Sequence, residues 1–198
     1  MQSTLPIQLG AAHDLRRLGN TVTGKIILAV SATAFVALCA HVSVPLFFTP
    51  VPVTLQTMAV LLVGMALGPA LGTSALVLYL AEGALGLPVF SPHGAGGVAQ
   101  LMGPTAGYLF SYPLAAAAAG FVVRALRFGR SQVAAAVLAG LASSLLIFAM
   151  GAGWIASLSH SSLSTAFSLG VLPFVPGEIL KIAAAASAYS SFQKWQSS

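Results

Sequence analysis

Near the C-terminus two residues of opposite charge stand three apart in an otherwise apolar run, Glu178 and Lys181 in Leu172-Pro173-Phe174-Val175-Pro176-Gly177-Glu178-Ile179-Leu180-Lys181. A helix starting at Pro176 would put them on one face, a carboxylate acceptor beside an ammonium donor. Two readings compete. The pair neutralises itself, with the acid favoured at the helix N-terminus by the macrodipole, or it serves a polar ligand. Inside a bilayer each such group costs about 2.5–3.5 kcal/mol near the centre, whereas an i,i+3 pair returns only about 0.2–0.5 kcal/mol; the ligand reading is therefore the better one. A second acid, Glu82 in Tyr79-Leu80-Ala81-Glu82-Gly83, either reaches out to the membrane interface or joins the same site. His93 and His160 have no carboxylate or second histidine at i,i+3 or i,i+4 and read as interfacial residues, so no metal site is expected. Without a phosphate-cradling P-loop the chain should not hydrolyse ATP by itself. With no Ser/His/Asp spacing to recommend it either, it does not read as an enzyme, and no cofactor is expected.

The elements that must hold these residues are membrane helices. Charged residues are 6% of the 198, and Lys and Arg cluster in three places: Arg16, Arg17 and Lys25; Arg124, Arg127 and Arg130; Lys181 and Lys194. The apolar runs between them exceed the roughly 20 residues that cross a bilayer. The pattern predicts an all-α integral membrane bundle of six transmembrane helices with short loops, at Ile26–Val44, Thr54–Leu67, Ala70–Leu85, Pro104–Val123, Gln132–Leu158 and Pro176–Phe192. Residues 1–24 read as a cytoplasmic N-terminal segment and 25–194 as one substrate-binding domain. Excess basic residues mark cytoplasmic loops. The loops at 45–53, 87–103 and 159–175 hold no Lys, Arg, Asp or Glu, so six spans put every basic cluster and both termini in the cytoplasm. Pro104 suits a first helical turn, and Gly68-Pro69 makes spans two and three antiparallel neighbours. No small-residue cleavage site follows a short apolar core, so the first span is expected to stay in the mature protein. The net charge of +5 lies on flanks, without interleaved aromatics, which argues against nucleic acid. Cys39 is the only cysteine, so no intramolecular disulfide can form.

This topology brings Glu82, Glu178, His41, Gln56, Thr105 and Tyr108 to one depth near the outer face, which predicts a pocket open to the exterior. Small residues recur at helix spacing at Ala29, Thr33 and Ala37, at Gly64, Gly68 and Gly72, at Gly103 and Gly107, and at Ala116 and Gly120. Such stripes allow helix backbones to approach closely, inside the bundle or against a partner.

Three segments in order, Gly83 to Phe90 (GALGLPVF), the glycine-rich Gly94–Gly97 leading to Leu101-Met102-Gly103-Pro104-Thr105-Ala106-Gly107-Tyr108, and Leu172 to Lys181, resemble the BioY family, biotin-binding S components of energy-coupling-factor vitamin transporters. The similarity extends from about Lys25 to Tyr189. It implies a six-helix fold in the bacterial inner membrane with an outward-facing biotin pocket, working with a transmembrane coupling protein and a pair of ABC-type ATPases. By motif position it assigns Glu178 and Lys181 to substrate, where the family usually has aspartate at the first, together with the glycine loop (Gly96, Gly97) and Tyr108. Glu82, Gln56, Phe90, Gln100 and Thr105 complete the candidate lining, with Phe47, Phe90 and Tyr108 as aromatic walls. Biotin's ureido N–H groups suit a carboxylate, and its valerate suits Lys181 or backbone N–H groups of the glycine loop. The resemblance also implies docking of the coupling protein on small residues of the first helix, assigned to Ala29, Thr33 and Ala37. The alternative is a small proton-coupled carrier or channel working alone, with Glu82 and Glu178 as its relay.

Overall fold

The computed structural model describes residues 21–126 and 131–197; Arg16, Arg17, Arg127, Arg130 and nearly all of the N-terminal segment lie outside them. The chain is a helical bundle. Its elements are α1 (Val22–His41), a ladder of β1 (Ser43–Val44) and β2 (Val53–Thr54), α2 (Gln56–Leu67), α3 (Pro69–Ala84), the single turn α4 (Gly97–Gln100), α5 (Ala106–Leu126), α6 (Gln132–Leu158), the short α7 (Leu163–Gly170), a 3-10 turn at Leu172–Phe174, and α8 (Val175–Ser197). Among the described residues four stretches are long and apolar enough to cross a membrane: Val22–His41, Ala106–Leu126, Gln132–Leu158 and the run Leu163–Gln196.

Local chemistry accounts for the helix ends. Thr21 caps α1 by accepting from Gly24 N at 3.0 Å, and Ser131 caps α6 by accepting from Ala134 N at 3.1 Å. α2 stops where Gly68 adopts φ 83°, which glycine tolerates freely, and Pro69 then opens α3. α6 spans the residues expected of it. Pro104 does not open a helix: its neighbours form successive turns, Gly103 N to Gln100 O and Ala106 N to Gly103 O, and α5 begins at Ala106. The segment 159–175 is not only loop, since Ser162 accepts from Thr165 N and starts α7. The proline-rich stretch after α1 closes as a hairpin, Ser43 pairing with Thr54 and Val44 with Val53.

α2 has 12 residues and is about 18 Å long at 1.5 Å per residue. It packs against α5 and α8, and small residues bring the backbones together. A Cβ placed on Gly64 would meet Ala116 O at 2.5 Å, and one on Gly120 would meet Pro69 N at 2.5 Å and Gly64 O at 2.6 Å. Two apolar clusters result. One, around Val36, Val60, Leu76, Tyr79 and Leu109, lies toward the hairpin; the other, around Leu61, Met65, Val123, Ala136 and Ile182, lies toward the opposite end.

The Ala29, Thr33, Ala37 stripe faces inward. Thr33 is buried, Ala29 and Ala37 pack on the first cluster, and Thr33 Oγ1 donates to Glu82 Oε1 of α3 at 3.1 Å. The surface that α1 leaves free is turned about 100° from it and includes Val30, Ala34 and Leu38.

Candidate ligand-binding site

Four helix segments converge below the hairpin. Glu178 and Lys181 lie in the first turns of α8, Gln56 and Thr57 in the first turn of α2, Tyr108 and Tyr112 early in α5, and Ser144 halfway along α6. Glu178 is 3% exposed and Lys181 8%, burial that charged groups tolerate only when paired. Glu178 Oε1 accepts from Ser144 Oγ at 2.8 Å, and Oε2 accepts from Thr57 Oγ1 at 3.0 Å and from Lys181 Nζ at 3.3 Å. Lys181 Nζ also donates to Thr57 Oγ1 at 3.1 Å. The carboxylate is thus held from three helices, and both buried charges are satisfied.

This cluster forms one wall of a cavity with about 550 Å³ of empty space, its mouth included. Other walls are apolar or aromatic, with Tyr112, Leu109, Ile147, Phe148 and Phe174, and the hairpin supplies Val51, Pro52 and Thr54. Thr49 Oγ1 donates to Leu169 O at 2.8 Å and ties the hairpin loop to α7. Tyr108 OH donates to Gly170 O at 2.6 Å, a second tie to the C-terminal end of α7. A neighbouring hollow shares Pro52, Gln100 and Thr105 with the cavity and continues past His93 and Gly94. A small, mostly apolar pocket with a few converging polar groups is what a compact organic ligand requires.

Of the residues expected at the site, Glu178, Lys181, Gln56, Gln100, Thr105 and Tyr108 line this cavity together. Glu82 does not: it is turned to Thr33 on α1. A relay running from Glu82 to Glu178 therefore has no shared chamber. Phe90 is also not in the wall. It is buried edge-on against Tyr79, with ring centroids 5.4 Å apart, and so backs the residue that holds Gln56. Gly96 and Gly97 take left-handed φ values of 69° and 57°, and Gly96 N donates to Gln100 Oε1 at 3.1 Å; they shape the turn that aims Gln100. Phe47 is no wall either, being fully exposed at the hairpin tip. Thr57, Ser144, Tyr112 and Phe174 were missed. A signal existed for two of them: Ser143-Ser144 interrupts a 27-residue apolar helix, and Phe174 lies inside the run that contains Glu178.

Fold and pocket together define a multi-helix membrane protein built around a small-molecule binding chamber. The model of the BioY family matches residues 10–198, and the chain belongs to that family. Among relatives, the probable biotin transporter BioY of Pyrococcus horikoshii is 41% identical over 69% of this chain and 76% of its own length. The biotin transporter BioY of Thermotoga maritima is 36% identical over 82% of this chain and 91% of its own. Of solved structures, the S-component for biotin from an ECF-type ABC transporter superposes with a TM-score of 0.78 at 26% identity, covering 86% of this chain and 90% of that one.

Proposed function

We propose that this chain is the biotin-binding subunit of an ATP-driven uptake system, taking biotin into the cavity beside Glu178. The observation that carries this reading is the buried carboxylate held by Ser144, Thr57 and Lys181 on the wall of a largely apolar chamber, in a chain of the BioY family. Biotin's ureido ring brings two N–H donors for Glu178, and its thiophane ring suits the walls of Tyr112, Phe148 and Phe174. Biotin added to the detergent-purified protein is expected to raise its melting temperature and to remain bound through gel filtration. No shift at saturating biotin, in a protein that is monodisperse, would remove the assignment.

In this reading α1, α2, α3, α5, α6 and α8 are six spans, α2 and α3 the shorter ones with 12 and 16 residues, and both termini are cytoplasmic. The support is the sorting of charge: Arg124 and Lys194 fall at the end away from the cavity, and the loops around the cavity carry no Lys or Arg. In a Cys39→Ser background, an impermeant maleimide should label Ala95→Cys on intact cells and spare Ser131→Cys; the reverse pattern contradicts the orientation.

The coupling protein would then dock on the lipid-facing side of α1, along Val30, Ala34 and Leu38, rather than on the inward stripe. Ala34→Trp is expected to leave biotin binding intact while abolishing assembly with the coupling module and ATP-driven uptake. Thr33→Trp should instead lower thermal stability and binding together, because Thr33 is packed against α3. Full uptake by Ala34→Trp would exclude this face.

A further inference from the structure

We propose that a second cavity, at the end of the bundle away from the ligand pocket, binds the phosphate group of an anionic phospholipid. A hollow with about 630 Å³ of empty space, mouth included, opens between the C-terminal ends of α2, α5 and α8 and the first turns of α6. Its floor is apolar and buried, with Met65, Val123 and Ala135; its lining also includes Arg124, Gln132 and Gln193, all better exposed than the floor.

Arg124 is held in place. One guanidinium nitrogen, Nη2, donates to Leu67 O at 3.2 Å, which satisfies a terminal carbonyl of α2. The group lies across Gly68, where any Cβ would run into it. A guanidinium carries five N–H donors in a rigid fork suited to two phosphate oxygens, so most remain after that bond. The amides of Gln132 and Gln193 add neutral donors beside it. The field here is positive as well. Among the described residues the two carboxylates are Glu82 and Glu178, at the far ends of α3 and α8, whereas Arg124, Lys25 and Lys194 lie at this end. A free anion would use only the rim. An occupant with an apolar tail would also cover Met65, Val123 and Ala135, and a basic pocket between membrane helices meets such molecules at high local concentration.

The test uses the full chain, delipidated in detergent and titrated with phosphatidylglycerol, phosphatidylcholine or inorganic phosphate while melting temperature and retained lipid are read. Phosphatidylglycerol is expected to raise the melting temperature and one molecule to survive in the native mass spectrum, with phosphatidylcholine and inorganic phosphate giving neither. Arg124→Gln should weaken phosphatidylglycerol binding roughly tenfold or more, the scale of a lost charge-assisted bidentate contact, while biotin affinity stays unchanged. Ala66→Trp, at an exposed position on the cavity wall, should block the site without touching the Arg124 cap. Lys25→Gln, which removes a charge from the same end, should leave lipid binding intact. Equal responses to the two lipids, an equal response to inorganic phosphate, a loss in Lys25→Gln matching that in Arg124→Gln, or full binding by Ala66→Trp would each overturn the proposal.

Discussion

Glu178→Ala should abolish measurable biotin binding at concentrations that saturate the unaltered protein, a loss of about 2 kcal/mol or more and hence at least roughly thirtyfold in affinity. The carboxylate is the one anionic acceptor in the cavity wall, and burial from water makes its bonds to ligand N–H groups count fully. Its removal also leaves Lys181 buried with Thr57 as its one remaining partner among the described residues. A second effect, on folding, must therefore be separated from the first. Glu178→Gln combined with Lys181→Met removes both charges at similar volume. It should recover the melting temperature of the unliganded protein, because a buried ion pair replaced as a whole costs little, yet still bind biotin weakly. Unaltered affinity in a monodisperse Glu178→Ala protein would place the ligand elsewhere.

The largest effect on stability is expected at the seam between α2 and α5. Gly120→Leu puts a side chain where Pro69 N, Gly64 O and Gly68 C already lie within 2.6 Å of the first added carbon. These are backbone atoms at a tight turn and cannot swing aside as a side chain can. Overpacking of this kind costs about 3 kcal/mol or more, roughly 10 °C in melting temperature for a chain of this size. Biotin affinity should fall with it, since the same seam sets the distance between Gln56 and Thr57 on one helix and Tyr108 and Tyr112 on the other. Gly177→Ala, at a glycine with open space around it, serves as the control and should melt within a degree or two of the parent. A Gly120→Leu protein as stable as that control would mean the two helices are not packed this closely.

What the sequence discloses about this molecule follows the physics of each signal. Long apolar runs bounded by charge report membrane helices well, and α6 occupies the residues expected of it. Side chains three apart on one helix share a face by geometry alone, which is why Glu178 and Lys181 meet as anticipated. Periodicity does not reveal which way a face turns. Ala29, Thr33 and Ala37 do form one stripe, but it packs inward, because Glu82 on α3 offers Thr33 a partner no local rule could name. Likewise Thr57 and Ser144 owe their roles to helices 121 and 34 residues away from Glu178 in sequence. The short α7 is invisible to hydropathy, as its eight residues include serine and threonine and its start rests on a single Ser162 cap.

The hydroxyl of Tyr79 has a consequence for what the cavity can recognise. Its one proton goes to Val89 O, at 2.7 Å, because a carbonyl can only accept. Toward Gln56, also at 2.7 Å, the same oxygen must then act as acceptor, so the amide of Gln56 has to turn its nitrogen to Tyr79. That fixes the side-chain carbonyl of Gln56 away from Tyr79. Tyr108 is committed in the same sense, its proton given to Gly170 O. The direction of two protons, each set by a main-chain carbonyl outside the chamber, thus orders part of the wall: the Gln56 carbonyl and the Tyr108 oxygen are left to accept beside Glu178, while the second amide hydrogen of Gln56 and the Lys181 ammonium remain the donors. A molecule seated there gains by bringing N–H bonds of its own toward Glu178, while its oxygens are left to the donors of Lys181 and Gln56.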